Sequence, residues 1–312
     1  MDSKLPVYVL ITPARNEAAF IDGTIQSVIA QRVLPAKWVI VSDGSTDETD
    51  STVAKYAAGR PWMELIRMPE REQRNFAGKA YAFKAGCDRL ADVEYDIIGN
   101  LDADVTFSED YFDFLLRKFV ENPRLGVAGT PFREGDFQYD FRYTNPEHVS
   151  GQIQMFRKEC YEAIGGYRPI KTGGIDLTAV MTARMNGWQT RSFLEKHYEH
   201  HRKMGSAKHG WFASEFNGGR VDYILGCHPL WQLLRSIRRL TSQRPIILSG
   251  VLCMAGYLWA AARRLEKVIP KDLVRFRRAE EMRRLSEIFR SFLPSRQGAA
   301  EMTGPAVKHP RS

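Results

Sequence analysis

The first 130 residues alternate short runs of β-branched and apolar residues with segments of helical periodicity. Strands are predicted at 7–12, 38–42, 64–68, 95–101 and 126–129, and helices between them at 19–31, 47–58, 78–90 and 109–120. This alternation favours a mostly parallel sheet with helices on both faces. The predicted fold class is therefore α/β, with a Rossmann-like first half.

Polar clusters follow the predicted strands where each one ends. PARNE occupies 13–17 after the first strand, DGSTD occupies 43–47 after the second, Arg67 lies at the end of the third, and DAD occupies 102–104 after the fourth. In sheets of this kind, ligands bind beyond the carboxyl ends of the strands. We therefore predict one binding site at this edge, with Ser45 or Asp47 also capping the second helix.

The two aspartates of DAD suit a metal-bridged diphosphate. Carboxylates are the hard oxygen ligands that Mg²⁺ or Mn²⁺ prefers, and such an ion stabilises charge on phosphate oxygens. Because DxD also occurs in turns that cap helices, the three letters alone indicate little. The position of Asp102 and Asp104 directly after a predicted strand favours the functional interpretation.

The next region predicts a strand at 152–156, a helix at 157–164, a glycine turn at 165–166 and a second helix at 176–186. Gly187 would end that second helix as a C-cap. Asp176 opens it directly after two glycines and an isoleucine. Its carboxylate is therefore either a helix cap or a functional group.

Charge is unevenly distributed along the chain. Residues 223–312 contain 17 Lys and Arg against 6 Asp and Glu, whereas the first 222 residues contain 28 against 31. A near-neutral body with a basic, partly apolar C-terminal part favours an anionic membrane surface as partner and argues against nucleic acid. The four cysteines show no paired spacing, so neither a zinc site nor a disulfide framework is indicated, and a reducing compartment is expected.

Three segments of the basic part have distinct patterns. Residues 229–240 predict an amphipathic helix with Leu230, Trp231, Leu234 and Ile237 near one face and Arg235, Arg238 and Arg239 on another. Residues 245–262 are uncharged and would span about 27 Å as a helix, slightly short for crossing a bilayer. This segment could span, dip into the membrane or lie buried. Residues 271–292 predict a basic amphipathic helix, followed by a loose tail.

Five blocks in a fixed order resemble the family-2 glycosyltransferases, which adopt the GT-A fold. They are PARNE, VSDGSTDET, GKAYAF, DAD, and GGID followed by RMNGW, and the resemblance covers residues 6–202. It implies a catalytic domain at 1–222, with a nucleotide-binding half at 1–130 and an acceptor half at 131–222. Membrane-associated helices at 223–293 and a disordered tail at 294–312 would follow.

The resemblance also implies a metal site. Asp104 would ligate the ion, Asp102 would contact the ion or the ribose, and His200 would complete the site, with Arg202 near phosphate. Three histidines lie at 197–201, but they lack the cysteine or HExxH pattern of a zinc site. A loop histidine with no function, and His201 as the ligand, both stay open.

Donor contacts are implied at several further positions. Asp43 would bind the nucleotide base, although Ser42 stands where many relatives have an aspartate. Lys79 begins a predicted helix, whose N-terminus favours anions. The other implied donor-binding residues are Pro13, Arg15, Glu17, Arg67, Arg74 and Gly151. For single basic residues the alternative is a solvated surface position.

Inverting transfer needs a carboxylate that takes the proton of the acceptor hydroxyl, and the resemblance assigns this function to Asp176. Relatives have Glu-Asp here, whereas this chain has Ile175 before the aspartate. The expected donor is a UDP-sugar, and the expected acceptor is a saccharide or polyprenyl-linked saccharide of the cell envelope or an exopolysaccharide. The aromatic and charged stretch at 132–149 is the expected acceptor pocket.

Location and alternatives complete the hypothesis. The N-terminus runs directly into a strand pattern without a secretory signal, so we expect the cytoplasmic face of the cell membrane, with peripheral or single-segment attachment. One alternative is a non-catalytic nucleotide-sugar-binding scaffold. Another is a sugar nucleotidyltransferase, which would need a glycine-rich loop after the first strand that TPARNE lacks.

Overall fold

The computed structural model describes residues 4–70, 75–135, 137–138, 145–202, 210–242 and 247–292. The α/β class and the mostly parallel sheet are confirmed. The strands of the main sheet are β1 (Tyr8–Ala14), β2 (Lys37–Asp43), β3 (Met63–Met68), β4 (Ile97–Leu101), β6 (Leu125–Gly129), β9 (Ile153–Arg157) and β10 (Gln189–Ser192). A smaller sheet contains β5 (Val105–Thr106), β7 (Phe132–Glu134), β8 (Phe137–Gln138) and β11 (Tyr198–His200).

Strand order explains why the binding loops meet. The main sheet runs β10-β6-β9-β4-β1-β2-β3, and β1 pairs in parallel with both β2 and β4. β9 is antiparallel to β4 and β6. Val9, Leu10 and Ile11 are fully buried because helices cover both faces of β1. The carboxyl ends of β1, β2 and β4 therefore share one edge.

The helices that alternate with the strands of the main sheet match the predicted periodicity within a few residues. α1 (Ile21–Ile29), α2 (Thr49–Ala57), α3 (Ala77–Cys87) and α4 (Tyr111–Glu121) alternate with the first strands, and α5 (Lys158–Ala163) and α6 (Ile175–Met185) follow β9. The predicted cap of α2 was wrong, because Glu48 occupies the N-cap position. Ser45 Oγ instead accepts the Asn16 amide, and the Asp47 carboxylate accepts the amides of Ala18 and Thr49.

Four helices form the C-terminal part: α7 (Trp211–Ile224), α8 (Pro229–Ser242), α9 (Leu248–Ala262) and α10 (Lys271–Phe292). α7 runs through the boundary predicted at 222–223. Glycines let α7 and α9 approach closely, since a Cβ on Gly219 would lie 1.8 Å from the Cys253 carbonyl oxygen. Within the described ranges, no helix is long and apolar enough to cross a bilayer.

Buried ion pairs join the C-terminal helices to each other and to α6. Asp222 on α7 accepts hydrogen bonds from Arg235 on α8 at 2.9 Å and from Arg277 on α10 at 3.3 Å. Glu280 on α10 pairs with Arg184 on α6 at 2.7 Å. Part of the polar face predicted at 229–240 turns inward, because Arg235 pairs with Asp222.

We expect Asp222→Ala to destabilise the fold by about 3 to 5 kcal/mol, because it leaves buried arginine charge without its partner. Urea denaturation followed by circular dichroism measures this loss. The matched control is Asp92→Ala, because Asp92 is an exposed aspartate in the loop before β4. Equal denaturation midpoints for the two variants would show that the ion pairs contribute nothing net.

Candidate active site

The loops after β1 and β2 are held together by hydrogen bonds. Asn16, at a positive φ of 56°, accepts the Thr46 amide on Oδ1 at 2.8 Å, and Glu17 donates its amide to Thr49 Oγ1 at 2.8 Å. Arg15 lies 3.9 Å from Asp43 across the same two loops. Asp43 is buried at the end of β2. Pro13, Arg15, Glu17 and Asp43 therefore form one rigid wall of the site edge.

Lys79 links the end of β4 to the loop before β9. Its Nζ donates to Asp102 Oδ1 at 2.5 Å and to the Gly151 carbonyl at 2.9 Å. Asn100, two residues before Asp102 on the same strand face, donates Nδ2 to the same two oxygens at 3.1 and 2.8 Å. Lys79 thus forms an ion pair with Asp102, and another anion could compete with Asp102 for this lysine.

Asp104 faces a different set of partners from Asp102. His200 Nε2 lies 3.5 Å and Arg202 Nε 3.4 Å from Asp104 Oδ2. Antiparallel pairing of β11 with β5 produces this contact, because it places His200 opposite Val105. Burial opposes ionisation of Asp104, but the hydrogen bond and charge of His200, together with Arg202, hold its pKa below the usual value.

A carboxylate orients His200 from behind. Glu134 Oε2 lies 3.0 Å from His200 Nδ1, so the Nε2 edge of the ring faces Asp104. Burial disfavours the imidazolium, but Asp104 and Glu134 together raise the pKa of His200. His201 instead contacts Thr106 Oγ1 at 2.8 Å and stacks on Phe20. Of the two histidines, His200 is the one beside Asp104.

Arg202 connects the β1 loop to the aspartates. It pairs with Glu17 and approaches Asp104, and its guanidinium lies 5.5 Å from the centre of the Phe20 ring. Arg202 thus links Glu17 to Asp104.

Asp176 lies in the first turn of α6, behind Gly173 and Gly174, whose φ values of 99° and 83° favour glycine. Its side chain packs directly on Gly151, where an added Cβ would lie 2.8 Å from Asp176 Oδ2. The Gly151 carbonyl also accepts the Lys79 hydrogen bond, so Gly151 lies between Asp176 and the Lys79–Asp102 pair. The half-buried His148 is a further neighbour, and desolvation lowers its pKa while Asp176 opposes that effect.

Of the predicted donor residues, Arg67 does not join this cluster. Arg67 donates to Asp50 at 2.9 Å and to the Ser45 carbonyl at 3.0 Å, so it supports the β2 loop. Arg74 lies outside the described residues. Among the described residues, no three His, Cys, Asp or Glu side chains already converge as a metal site. Asp102 is held by Lys79, which leaves Asp104 and His200 as the adjacent pair.

Three residues of this site were not predicted: Asn100, Glu134 and His148. Asn100 carried a local signal, because it shares a strand face with Asp102 at a spacing of two. Glu134 and His148 lie in the stretch at 132–149 that offered no recognisable pattern. Their positions depend on pairing between β7 and β11 and on packing against α6, which are long-range contacts.

The fold and the strand-edge site are those of a GT-A-like α/β protein. The model of glycosyl transferase family 2 matches residues 9–178, and the chain belongs to this family. PARNE, VSDGSTDET, DAD and GGID lie at or beside the edge described above, whereas RMNGW lies at the other end of α6.

Individual relatives match only in part. Poly-β-1,6-N-acetyl-D-glucosamine synthase of Staphylococcus aureus is 29% identical over 140 residues, which is 45% of this chain and 29% of that protein. The chain therefore spans less than a third of that relative's length.

Solved structures share the fold at low identity. Mannosyltransferase PcManGT from Pyrobaculum calidifontis, in complex with GDP-Man and Mn²⁺, has a TM-score of 0.57 at 19% identity, covering 93% of this chain and 83% of its own. S. aureus TarS in complex with UDP-GlcNAc has a TM-score of 0.53 at 14% identity, covering 81% and 71%. At these identities the likeness shows the fold alone.

We expect Gly151→Ala to lower sugar-transfer turnover at least about tenfold, since its methyl group would displace the Asp176 carboxylate. The matched control is Gly218→Ala, because nothing lies within 4 Å of a Cβ built there. Steady-state kinetics and thermal unfolding of both variants separate lost geometry from lost stability. Unchanged turnover in folded Gly151→Ala would contradict the importance of this contact.

Proposed function

We propose that the protein is an inverting, metal-dependent glycosyltransferase that moves a sugar from a nucleotide-diphosphate donor to an acceptor hydroxyl. The observation that supports this best is the convergence of three acidic groups at one sheet edge. Asp43 lies in the nucleotide region, Asp104 lies beside His200, and Asp176 contacts Gly151 next to Lys79. These groups suit base binding, diphosphate binding and proton removal respectively.

Asp104 and His200 would hold Mg²⁺ or Mn²⁺. A carboxylate and an imidazole provide two protein ligands, and such ions also accept phosphate oxygens and water. The ion would stabilise negative charge on the departing diphosphate. Arg202 and Lys79 would neutralise the same phosphates, and Lys79 would exchange its hydrogen bond to Asp102 for one to the donor. Asp102 would then be available to the ion or the ribose.

Asp176 would act as the general base. Its carboxylate is positioned by packing on Gly151 and by the first turn of α6. A carboxylate held in this way takes the proton from the acceptor hydroxyl while the hydroxyl oxygen attacks the anomeric carbon. The hydroxyl oxygen forms the new glycosidic bond, and the nucleoside diphosphate departs with the electron pair of the broken bond. His148, half-buried near Asp176, would limit the freedom of the carboxylate.

A UDP-sugar is the favoured donor, and a saccharide or lipid-linked saccharide is the favoured acceptor. The relation to poly-β-1,6-N-acetyl-D-glucosamine synthase supports a function in cell-envelope polysaccharide synthesis. TarS, whose fold is similar, binds UDP-GlcNAc. PcManGT binds GDP-Man, so a GDP-sugar is the alternative that the donor experiment must test.

Purified protein incubated with UDP-, GDP- and TDP-sugars plus Mn²⁺ should hydrolyse one donor slowly, which identifies the nucleotide and the sugar together. Asp104→Ala should reduce this hydrolysis at least about a hundredfold, because an ion at the phosphates would be lost. Asp92→Ala is the exposed control. Undiminished hydrolysis in Asp104→Ala would refute the metal assignment.

Asp176→Asn should keep donor and metal affinity but reduce transfer to an added acceptor at least about a hundredfold, because an amide cannot accept the proton. Isothermal titration of UDP with Mn²⁺ and acceptor-dependent kinetics measure the two properties separately. A variant that loses donor binding and transfer together would place Asp176 in the donor site instead.

Glu134→Gln should weaken Mn²⁺ binding in the presence of UDP by roughly 10- to 100-fold, because the partner that orients a metal-bound histidine is lost. Electron paramagnetic resonance of free Mn²⁺ measures this affinity independently of turnover. Glu121→Gln provides a control at an exposed glutamate of α4. Equal Mn²⁺ affinities would remove Glu134 from the metal site.

A further inference from the structure

α8 presents its apolar residues to solvent and its polar residues to the protein. Gln232 and Ser236 are buried, and Arg235 and Arg239 turn inward to Asp222 and Glu215. On the opposite side, three apolar side chains are about half exposed: Leu230 at 50%, Leu233 at 46% and Ile237 at 52%. An amphipathic helix on a water-exposed surface normally has the reverse orientation.

α9 repeats this arrangement. Cys253, Tyr257 and Ala260 are buried against α7 and α8. Large apolar side chains lie on the outward side, and those exposed are Ile247, which precedes the helix, Val251, Leu258 and Trp259. Ala255 and Ala262 continue the same stripe at helical spacing. The outward face of α9 is therefore apolar along its whole length.

The two outward faces adjoin because α8 and α9 pack side by side and antiparallel. Gln232 Nε2 lies 3.2 Å from Cys253 Sγ, and a Cβ on Gly250 would lie 2.3 Å from the Ser236 carbonyl oxygen. Tyr257 Oη donates to the Cys227 carbonyl at 2.8 Å, at the other end of the pair. We call this combined surface the α8–α9 face. Apolar faces of this extent on soluble proteins usually mark an interaction surface.

Arginines border the α8–α9 face. Residues 225–265 contain six arginines and no aspartate or glutamate. Arg238 is exposed on α8, and Arg263 and Arg264 are exposed at the end of α9. The Arg263 guanidinium lies 5.7 Å from the centre of the Trp259 ring. An aromatic and aliphatic surface bordered by arginines complements the apolar and anionic parts of a phospholipid layer.

We propose that the α8–α9 face lies flat on an anionic phospholipid surface, with its apolar side chains in the headgroup region and its arginines at lipid phosphates. α9 has 15 residues and is about 22 Å long, which is shorter than the hydrocarbon core of a bilayer. A second copy of the chain fits less well, because a two-fold contact would oppose two surfaces that both carry the exposed Arg263 and Arg264. This proposal is independent of the proposed glycosyl transfer.

The test measures co-sedimentation of the full chain with vesicles of phosphatidylcholine alone or mixed with phosphatidylglycerol. Wild type should bind the mixed vesicles, and the triple variant Leu230→Ser, Leu233→Ser, Ile237→Ser should bind at least about tenfold more weakly. The control variant carries serine at three exposed apolar positions of the catalytic part: Leu34, Val120 and Leu194. Equal binding of triple variant and control would overturn the proposal.

Charge variants test the lipid phosphates separately. Replacing Arg263 and Arg264 with glutamine should weaken binding to the anionic vesicles by roughly fivefold per arginine. Arg32→Gln together with Arg117→Gln is the control, because both side chains are exposed in the catalytic part. Equal loss in both double variants would indicate non-specific attraction of a basic protein and would refute the proposed face.

A third measurement does not depend on the triple variant folding. Brominated lipids should quench tryptophan fluorescence of the wild type, and Trp259→Phe should lose most of that quenching. Undiminished quenching in Trp259→Phe would place the lipid contact elsewhere. Absence of vesicle binding, combined with dimers in sedimentation velocity that the triple variant abolishes, would assign the α8–α9 face to a second copy instead.

Discussion

Parallel pairing of β1 with both β2 and β4 is the constraint on which the site depends. Three neighbouring strands that point the same way must end at the same edge, so the loops after them meet without any further device. Hydrogen bonds between Asn16 and Thr46 then fix the first two loops against each other. His200 and Asp176 have to arrive from later in the chain. The small sheet brings the histidine, and the start of α6 brings the aspartate.

Charges at this edge neutralise each other in pairs. Lys79 pairs with Asp102, and His200 and Arg202 lie beside Asp104. Burial raises the pKa of Asp102 in spite of Lys79, whereas His200 and Arg202 hold the pKa of Asp104 below its usual value. Ligand binding would then rearrange existing ion pairs, so affinity would depend on how easily Lys79 changes partner.

Much of the fold and part of the site could be predicted from sequence, for a physical reason. Strand and helix periodicity is local, and so is the placement of Asp43, Asp102 and Asp104 directly after strands. Glu134 could not be predicted, because its contact with His200 depends on how β7 and β11 pair across 66 residues. The inverted orientation of α8 was also inaccessible. Periodicity identifies two faces of a helix, whereas the distant Asp222 decides which of them turns inward.

The ion pairs of α10 have a consequence for how the chain could be shortened. The ion pair between Glu280 and Arg184 joins α10 to α6, and Arg284 of α10 pairs with Glu147 in the segment before Gly151. Asp176 lies in the first turn of α6, so α10 supports the helix that carries the candidate base. Deleting the C-terminal part would remove these supports of the candidate active site and the α8–α9 face at the same time. Loss of activity after such a deletion would therefore not distinguish lost lipid binding from a disturbed active site. Point substitutions on the outward face change lipid binding alone.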